Sequence, residues 1–175
     1  NTGQPCSLQI LTKALEVPAV AQTGRYLEFL EDAYLLFGLP KFNPSFRKRV
    51  VAPKKYYAVD NGLRTAVSPR ATPDLGRRLE NAVYLELRRR GSRISWAGEK
   101  DAWECDFLTD RLAVQVCAEL RPDNLPREAR GLARACALPG GRRRPLLLTL
   151  DQRDAVAAEG MKIDVLPAWD WLGRV

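Results

Sequence analysis

Three acidic side chains occur at positions where a strand and a helix could bring them together. Glu104 and Asp106 are two residues apart in the strand-like run Trp103–Leu108, so both point to one face of that strand. Glu80 lies within the apolar arc of a predicted helix, beside Leu79. An ionised carboxylate is costly to bury alone, so it usually acquires a cation, a metal ion or a raised pKa. The three acids therefore indicate either a divalent-cation site or a buried ion pair.

A second strand-like run, residues 112–118, supplies two further polar side chains. Gln115 and Cys117 share one face of this run. If the two strands pair and the helix packs across that face, Glu80, Asp106, Gln115 and Cys117 converge. The arrangement resembles that of metal-dependent nucleases of the PD-(D/E)xK class, where a helix acid, a strand Asp and an acid-x-Lys pair hold a divalent ion and a water. Glu80 and Asp106 are then the predicted metal ligands, and Mg²⁺ is the ion that such oxygens suit.

The last pair departs from the nuclease pattern. Gln115 offers only a neutral carbonyl oxygen, and Cys117 stands where the pattern has Lys. A thiol has no positive charge to stabilise a phosphate under attack, and it is a soft ligand that Mg²⁺ disfavours. The pattern therefore predicts a vestigial site that lacks its lysine.

Two alternatives remain open for the acids. A cation could reach the site from Lys100, Arg121 or Arg127 and restore activity. Glu80 could instead form a buried salt bridge with Arg127 of the following helix, with no metal ion at all. At Glu80 the sequence therefore leaves a retained metal site and this buried salt bridge equally open.

Several spaced blocks resemble the C-terminal region of bacterial and archaeal AAA-type ATPases that carry a domain called DUF4143. The blocks are Tyr56–Arg64, Gly76–Leu87, Glu104–Phe107 and Gln115–Leu120, and the resemblance extends from about Ser7 to Leu172. It implies a winged helix followed by a nuclease fold like that of Holliday-junction resolvases. It also implies an ATPase domain upstream as a partner, and hence that this chain is a fragment.

The order of elements predicts an α/β chain with two parts. Residues 1–59 form a winged helix-turn-helix without its first helix, and residues 60–175 form a restriction-endonuclease-like mixed sheet flanked by helices. Helices are predicted over 7–15, 19–32, 75–90 and 124–137, and strands over 34–37, 93–96, 103–108, 112–118, 146–150 and 163–166. The apolar tail around Trp169 and Trp171 is predicted to pack back on the sheet.

Basic residues concentrate in the predicted wing. Between Ala33 and Val59 there are six basic residues and no acid, and aromatic residues are interleaved with them. Basic groups release counterions from phosphate, and aromatic rings stack on exposed bases. With Arg25 of the second helix, the predicted nucleic-acid contacts are Arg25, Lys41, Arg47, Lys48, Arg49, Lys54 and Lys55. A solvated hairpin that faces another domain is the competing interpretation.

Composition excludes several classes of site. The sequence contains no His, so a His-dependent triad is impossible and the common zinc sites are disfavoured. No phosphate-binding Gly-x-x-x-x-Gly-Lys-Ser/Thr loop is present, so this chain should not hydrolyse ATP by itself. We expect neither a membrane-spanning helix nor a signal peptide, and the four scattered cysteines suit a reducing cytoplasm.

These observations predict a DNA-binding module with a degenerate nuclease-like site and no cofactor of its own. The net charge of +7 is compatible with that role. The first alternative is an active, Mg²⁺-dependent, structure-selective DNA nuclease. The second is a protein-interaction or oligomerisation module with no role in nucleic-acid binding.

Overall fold

A computed structural model of the chain describes residues 3–67 and 74–174, which form an α/β fold with two sheets. The first part contains α1 (Leu8–Ala14), α2 (Val20–Asp32), β1 (Leu36–Leu39), α3 (Phe46–Val51), β2 (Lys55–Ala58) and α4 (Asn61–Ala66). Strands β1 and β2 pair antiparallel as a two-stranded sheet, with α3 in the connection between them. In these described ranges, no helix is both long enough and apolar enough to cross a membrane.

The N-terminal helices contact each other through polar groups and leave much apolar surface exposed. Ser7 caps α1, because its hydroxyl accepts a hydrogen bond from the Ile10 backbone N–H. The Thr12 hydroxyl donates to the buried Thr23 hydroxyl of α2 at 2.8 Å. Large exposed side chains on and beside these helices include Ile10, Leu15, Phe29 and Tyr34. This pair of helices therefore has little hydrophobic core of its own.

The second part is a six-stranded mixed sheet with helices on both faces. Its elements are α5 (Leu75–Arg89), β3 (Ser95–Glu99), β4 (Trp103–Leu108), β5 (Leu112–Val116), α6 (Leu125–Cys136), β6 (Arg144–Thr149), β7 (Asp154–Ala158), β8 (Met161–Pro167) and α7 (Ala168–Leu172). The strand order is β3-β4-β5-β6-β8-β7. Strands β5, β6 and β8 run parallel, and the other neighbours pair antiparallel. The predicted mixed sheet with flanking helices is confirmed.

Alternation along the central strands divides the core into two clusters. Val114 of β5 points toward α5, where it packs near Val83 and Leu87. Ala113, its neighbour in β5, points the other way and packs near Leu132 of α6. The sheet β1–β2 belongs to the α5 side, because Leu39 and Tyr57 are buried in the same cluster as Val83.

Several short elements escaped prediction, among them α3 and β7. Helix α3 has no buried residue and so no apolar period that a pattern could reveal. Strand β7 joins β8 through a turn at Glu159 and Gly160, both of which have positive φ. The sequence Glu-Gly indicates such a turn less clearly than Asn-Gly does, so the hairpin was not predicted. In the C-terminal tail Trp171 packs inward as expected, but Trp169 is 65% exposed, contrary to the prediction.

Two glycines with opposite surroundings test how closely α6 approaches the sheet. A Cβ at Gly131 would lie 2.1 Å from the Glu104 backbone oxygen, so Gly131→Ala must push α6 away from β4. We expect the free energy of unfolding to fall by about 2–3 kcal/mol. A Cβ at Gly76 of α5 would meet no described atom within 4 Å, so Gly76→Ala should raise the free energy of unfolding by up to about 1 kcal/mol. Urea unfolding followed by circular dichroism measures both, and equal effects would contradict the close contact.

Candidate functional site

A lysine ammonium lies at the centre of the predicted acid cluster. The side chain of Lys55 is 0% exposed, and its Nζ lies 2.8 Å from Glu104 Oε1, 3.0 Å from Asp106 Oδ1 and 3.4 Å from Glu80 Oε1. With Tyr57, these four residues constitute what we call the acid–lysine cluster. It joins three elements that are distant in sequence, namely β2, α5 and β4.

Strand β2 positions both Lys55 and Tyr57, which are two residues apart and point the same way. The Tyr57 hydroxyl donates to Glu80 Oε1 at 2.7 Å, and its ring stacks on Tyr84 of α5 with centroids 4.3 Å apart. The Lys55 ammonium also lies 5.9 Å from the centre of the Trp96 ring. The lysine is therefore enclosed by aromatic rings as well as by carboxylates.

Asp106 lies where strands β4 and β5 separate. Their paired residues are Phe107 with Val114 and Leu108 with Ala113. Beyond these pairs, hydrogen bonds from side chains take the place of the regular backbone-to-backbone hydrogen bonds between β4 and β5. Gln115 Oε1 accepts a hydrogen bond from the Asp106 backbone N–H at 3.2 Å, and Asp106 Oδ2 accepts one from the Val116 N–H at 3.0 Å. The carboxylate of Asp106 is thus held on one oxygen by the backbone and on the other by Lys55.

Burial and mutual charge set the protonation of the cluster. Burial alone would lower the pKa of Lys55, but the charges of Asp106, Glu80 and Glu104 outweigh it and raise the pKa, so the lysine stays charged. Burial, and then the negative charge of Asp106, raise the pKa of Glu80 to about 8, against the opposing effects of Lys55 and Tyr57. One ammonium cannot fully compensate three carboxylates in this confined space, and Glu80 is the acid that takes up a proton.

The four residues predicted to converge are only partly brought together. Glu80 and Asp106 meet at Lys55, as expected for the pair of acids. Gln115 and Cys117 lie on the α6 side of β5, whereas Glu80 comes from α5 on the opposite side. The expected convergence on one face is wrong, because α5 packs on the face of β5 that carries Val114, whereas Gln115 and Cys117 alternate onto the opposite face.

Three predictions about the basic residues are also wrong. The cluster does contain a lysine, but Lys55 of β2 supplies it rather than position 117. Glu80 pairs with Lys55, whereas Arg127 pairs with Glu128. Lys55 was predicted to contact nucleic acid, and its complete burial rules out an exposed phosphate contact. The sequence signal that could have revealed it is the Lys55-x-Tyr57 spacing in a short strand, which places the ammonium on the face that Tyr57 buries.

Glu128 is a buried acid that the sequence analysis did not select. Its Oε1 accepts a hydrogen bond from Arg127 Nε at 3.1 Å, while its buried Oε2 has no hydrogen-bond partner among the described residues. Burial raises the pKa of Glu128, against the effect of Arg127. The sequence signal that could have revealed Glu128 is its position, four residues before Leu132 on the apolar face of α6.

The thiol of Cys117 is not an activated nucleophile. Burial, and then the negative charge of Glu128, raise the pKa of Cys117 to about 12, so the thiol stays protonated at neutral pH.

The other predicted nucleic-acid contacts are dispersed over the surface. Arg47, Lys48 and Arg49 are exposed on α3, and Arg25 is exposed on α2. Lys41 is half-buried, with its ammonium 5.0 Å from the centre of the Trp96 ring. Lys54 is also half-buried and lies next to α3 in sequence.

A metal ion does not fit the acid–lysine cluster as it is arranged. Within residues 3–67 and 74–174, no group of three or more Asp, Glu, Cys or His side chains has a geometry that could hold one. One oxygen of each predicted ligand, Glu80 Oε1 and Asp106 Oδ1, contacts the Lys55 ammonium, and Asp106 Oδ2 accepts a hydrogen bond from the Val116 N–H. A divalent ion would have to displace that ammonium or lie beside it, against the repulsion of like charges.

Comparison with known proteins identifies similar chains of unassigned role. Residues 1–74 match a family model described as "Domain of unknown function (DUF8612)". An uncharacterized protein of Haemophilus influenzae is 33% identical over an alignment of 132 residues, and the match covers 71% of this chain and 32% of the relative. The uncharacterized protein MJ1544 of Methanocaldococcus jannaschii is 36% identical over an alignment of 117 residues, and the match covers 63% of this chain and 25% of the relative. This chain thus spans about a third and a quarter of their lengths, and no solved structure matches it.

Removing the buried ammonium should destabilise the fold strongly. Lys55→Met leaves three carboxylates together without their cation, and we expect the free energy of unfolding to fall by about 3–5 kcal/mol. The triple variant Lys55→Met/Glu80→Gln/Asp106→Asn should recover part of that loss, because two of the three acids that lose their cation are then neutral. Lys54→Met is the matched control and should cost less than about 1 kcal/mol. Similar losses for Lys54→Met and Lys55→Met in urea unfolding would refute the role of the ammonium.

The raised pKa of Glu80 predicts a specific dependence of stability on pH. The folded chain binds more protons than the unfolded chain between the ordinary pKa of 4.5 and about 8. The contribution of protonated Glu80 to the free energy of unfolding is therefore fully present below about pH 4.5 and is lost as the pH rises through about 8. We expect the free energy of unfolding to decline across this interval by at most about 1.4 kcal/mol per pH unit, and Glu80→Gln to reduce the decline.

Glu86→Gln on the same helix is the control for this pH dependence. Hydrogen bonds from Arg89, and then from Arg90, lower the pKa of Glu86 to about 2, so Glu86 titrates below the interval. Its variant should retain the decline seen in the parent chain. Denaturant unfolding at several pH values measures the slope, and an unchanged slope in Glu80→Gln would show that another group is responsible.

Proposed function

We propose that this chain is a nucleic-acid-binding module with a nuclease-like site that does not cleave, within a larger cytoplasmic protein of the AAA-type ATPase class. The observation that carries the proposal is the Lys55 ammonium at the centre of the acid cluster, within 3.4 Å of three carboxylates. That ammonium takes the place that a divalent ion would need.

The chemistry of hydrolysis explains why the arrangement favours binding over cleavage. Metal-assisted cleavage needs hard oxygen ligands around the ion and a separate positive charge on the phosphate. In this cluster the Lys55 ammonium already pairs with all three acids, and Cys117 leaves the usual lysine position without a charge. The residues therefore support a stable internal ion cluster better than an open metal site.

Surface charge supports the nucleic-acid part of the proposal. The chain carries a net charge of +7, and α3 presents Arg47, Lys48 and Arg49 to solvent. In our proposal α1 and α2 correspond to a helix-turn-helix, and β1 and β2 to its wing, with α3 between the two strands. The exposed acids Glu28 and Asp32 make α2 a poor surface for phosphate, so the wing is the part that contacts nucleic acid.

The larger protein is proposed from resemblance. The motif blocks resemble the C-terminal region of AAA-type ATPases, and the two uncharacterized relatives are several times longer than the parts that match. The ATPase domain of such a protein would be the partner of this module, in an assembly that could be oligomeric.

A magnesium-dependent nuclease is the second function that a specific observation favours. The cluster unites a helix acid, two strand acids and a lysine, which are the residue types that phosphodiester hydrolysis uses. In that case Lys55 would have to leave the carboxylates when a metal ion and substrate arrive. Its complete burial and its three close partners argue against such a movement.

Binding and cleavage measured on the same samples test the proposal. We expect fluorescence anisotropy to detect binding of labelled single-stranded, duplex or four-way-branched DNA, with affinity falling at least tenfold between about 50 and 200 mM salt. Parallel gels with Mg²⁺ or Mn²⁺ should show intact DNA. Cleavage that Asp106→Ala abolishes, while binding persists, would establish the nuclease instead. Failure of all three DNAs to bind at low salt would refute nucleic-acid binding and leave a protein-docking module.

A further inference from the structure

A basic groove lies between α3 and the edge of the large sheet. It has a volume of about 670 Å³ and is lined by residues from α3, from the segment before β2, from β3 and β4 and from the loop before β6. Its principal side chains are Phe42, Arg49, Lys54, Arg93 and Arg143, and we call this surface the basic groove. The acid–lysine cluster is not part of it.

The charge of the groove is strongly positive. Four of its side chains are cationic, and its acid Asp110 forms an ion pair with Arg93 at 3.2 Å. Arg143 is buried and donates to the backbone oxygens of Thr109, Leu138 and Pro139, so its guanidinium is fixed in place. Arg49 and Lys54 form no ion pair within residues 3–67 and 74–174. The Lys54 side chain passes beside Gly38, where Glu31 Oε1 also lies, and the Arg49 guanidinium lies 5.3 Å from the centre of the Phe46 ring, so neither positive charge is balanced by an ion pair among the described residues.

An aromatic ring and apolar side chains accompany these charges. Phe42 is half-buried, with the Arg143 guanidinium 5.6 Å from the centre of its ring. Val50, Ile94 and Leu108 add apolar surface to the groove. A ligand that suits this surface has negative charges together with flat apolar groups. Phosphates and unpaired bases combine both properties, because every base has a face that can stack on a ring.

We infer that the basic groove binds a single-stranded segment of nucleic acid, with phosphates at Arg49 and Lys54 and a base against Phe42. The inference rests on the proposed nucleic-acid-binding function and names the surface that performs it. A duplex keeps its bases stacked within the helix, so it cannot present one to a recessed ring. An acidic peptide shares the negative charge but lacks the regular alternation of phosphates with flat rings.

The direction of two neighbouring lysines relates the groove to the acid–lysine cluster. Lys54 lines the groove, whereas Lys55, the next residue, points into the cluster. Consecutive residues of an extended chain point to opposite sides. Single-stranded nucleic acid in the basic groove would therefore lie on the opposite side of this protein segment from the carboxylates. That position is consistent with binding without cleavage.

Anisotropy with a fluorescein-labelled 12-nucleotide single strand, as DNA and as RNA, tests the groove. The variant Arg49→Glu/Lys54→Glu should bind at least tenfold more weakly than the parent chain at low salt. Its slope of log affinity against log salt should be smaller by about 1.4, since about 0.7 is expected per phosphate contact to a single strand. Phe42→Leu keeps an apolar side chain but removes the ring, and it should weaken binding about fivefold or more.

The matched control is Arg130→Glu/Arg134→Glu, which makes the same change of charge on the exposed face of α6. It should lose much less affinity than the groove variant, and circular dichroism verifies that each variant is folded. Equal losses in the two double variants would show that only net charge matters and would overturn the groove assignment. Tighter binding of a duplex of the same length, or equal competition by a poly-glutamate peptide, would also overturn it.

The outcomes separate this inference from the proposed function. If the parent chain binds nucleic acid and the groove variants bind as the parent does, the groove assignment fails while the proposed function stands. If the parent chain binds neither single strands nor duplexes at low salt, both fail. Different affinities for DNA and RNA would identify which of the two sources of single strands the groove prefers.

Discussion

The structure depends above all on one ammonium group buried among three carboxylates. Removing Lys55 from water costs several kcal/mol, and the fold tolerates this only because Glu104, Asp106 and Glu80 lie within 3.4 Å of it. The ion cluster is also a mechanical link, since β2 supplies the cation while β4 and α5 supply the acids. The packing of the small sheet against the large one is therefore coupled to the charge state of four side chains.

The separation of β4 from β5 is the second constraint. Asp106 fills the gap, because its carboxylate bonds to the Val116 backbone while Gln115 bonds to the Asp106 backbone. Polar side chains that would otherwise be expelled from a sheet interior are thereby satisfied. Lys55 and Glu80 lie on the face of the large sheet that α5 and β2 cover, whereas Gln115 and Glu128 lie on the α6 face. A set of residues typical of a nuclease is thus distributed over two polar clusters that have different partners.

The chain separates its charges by depth. Negative charge gathers around Lys55 in the interior, whereas much of the excess positive charge lies on exposed residues, including those of α3 and the rim of the basic groove. This distribution makes an attractive surface for polyanions while their approach to the buried carboxylates is opposed by like charge. The proposed binding without hydrolysis rests on this distribution of charge.

Some features could be predicted from the sequence because they depend on local periodicity. The apolar arc that contains Val83, Tyr84 and Leu87 predicts α5 and the burial of Glu80, and alternation predicts that Glu104 and Asp106 share a face. Helix α3 could not be predicted in this way, because its side chains are exposed and leave no periodic apolar pattern. A lysine in a basic stretch is ordinarily exposed, so Lys55 was expected at the surface with its neighbours.

The sequence by itself determined which acids are present, the strand that aligns two of them and the helix that buries the third. Only the tertiary structure decided which cation they meet. That choice depends on the packing of β2 against α5 and β4, which places Lys55 between the acids and holds Tyr57 against Tyr84. No local pattern encodes this contact, because its members are separated by 25 and 51 residues along the chain and come together only when the elements pack.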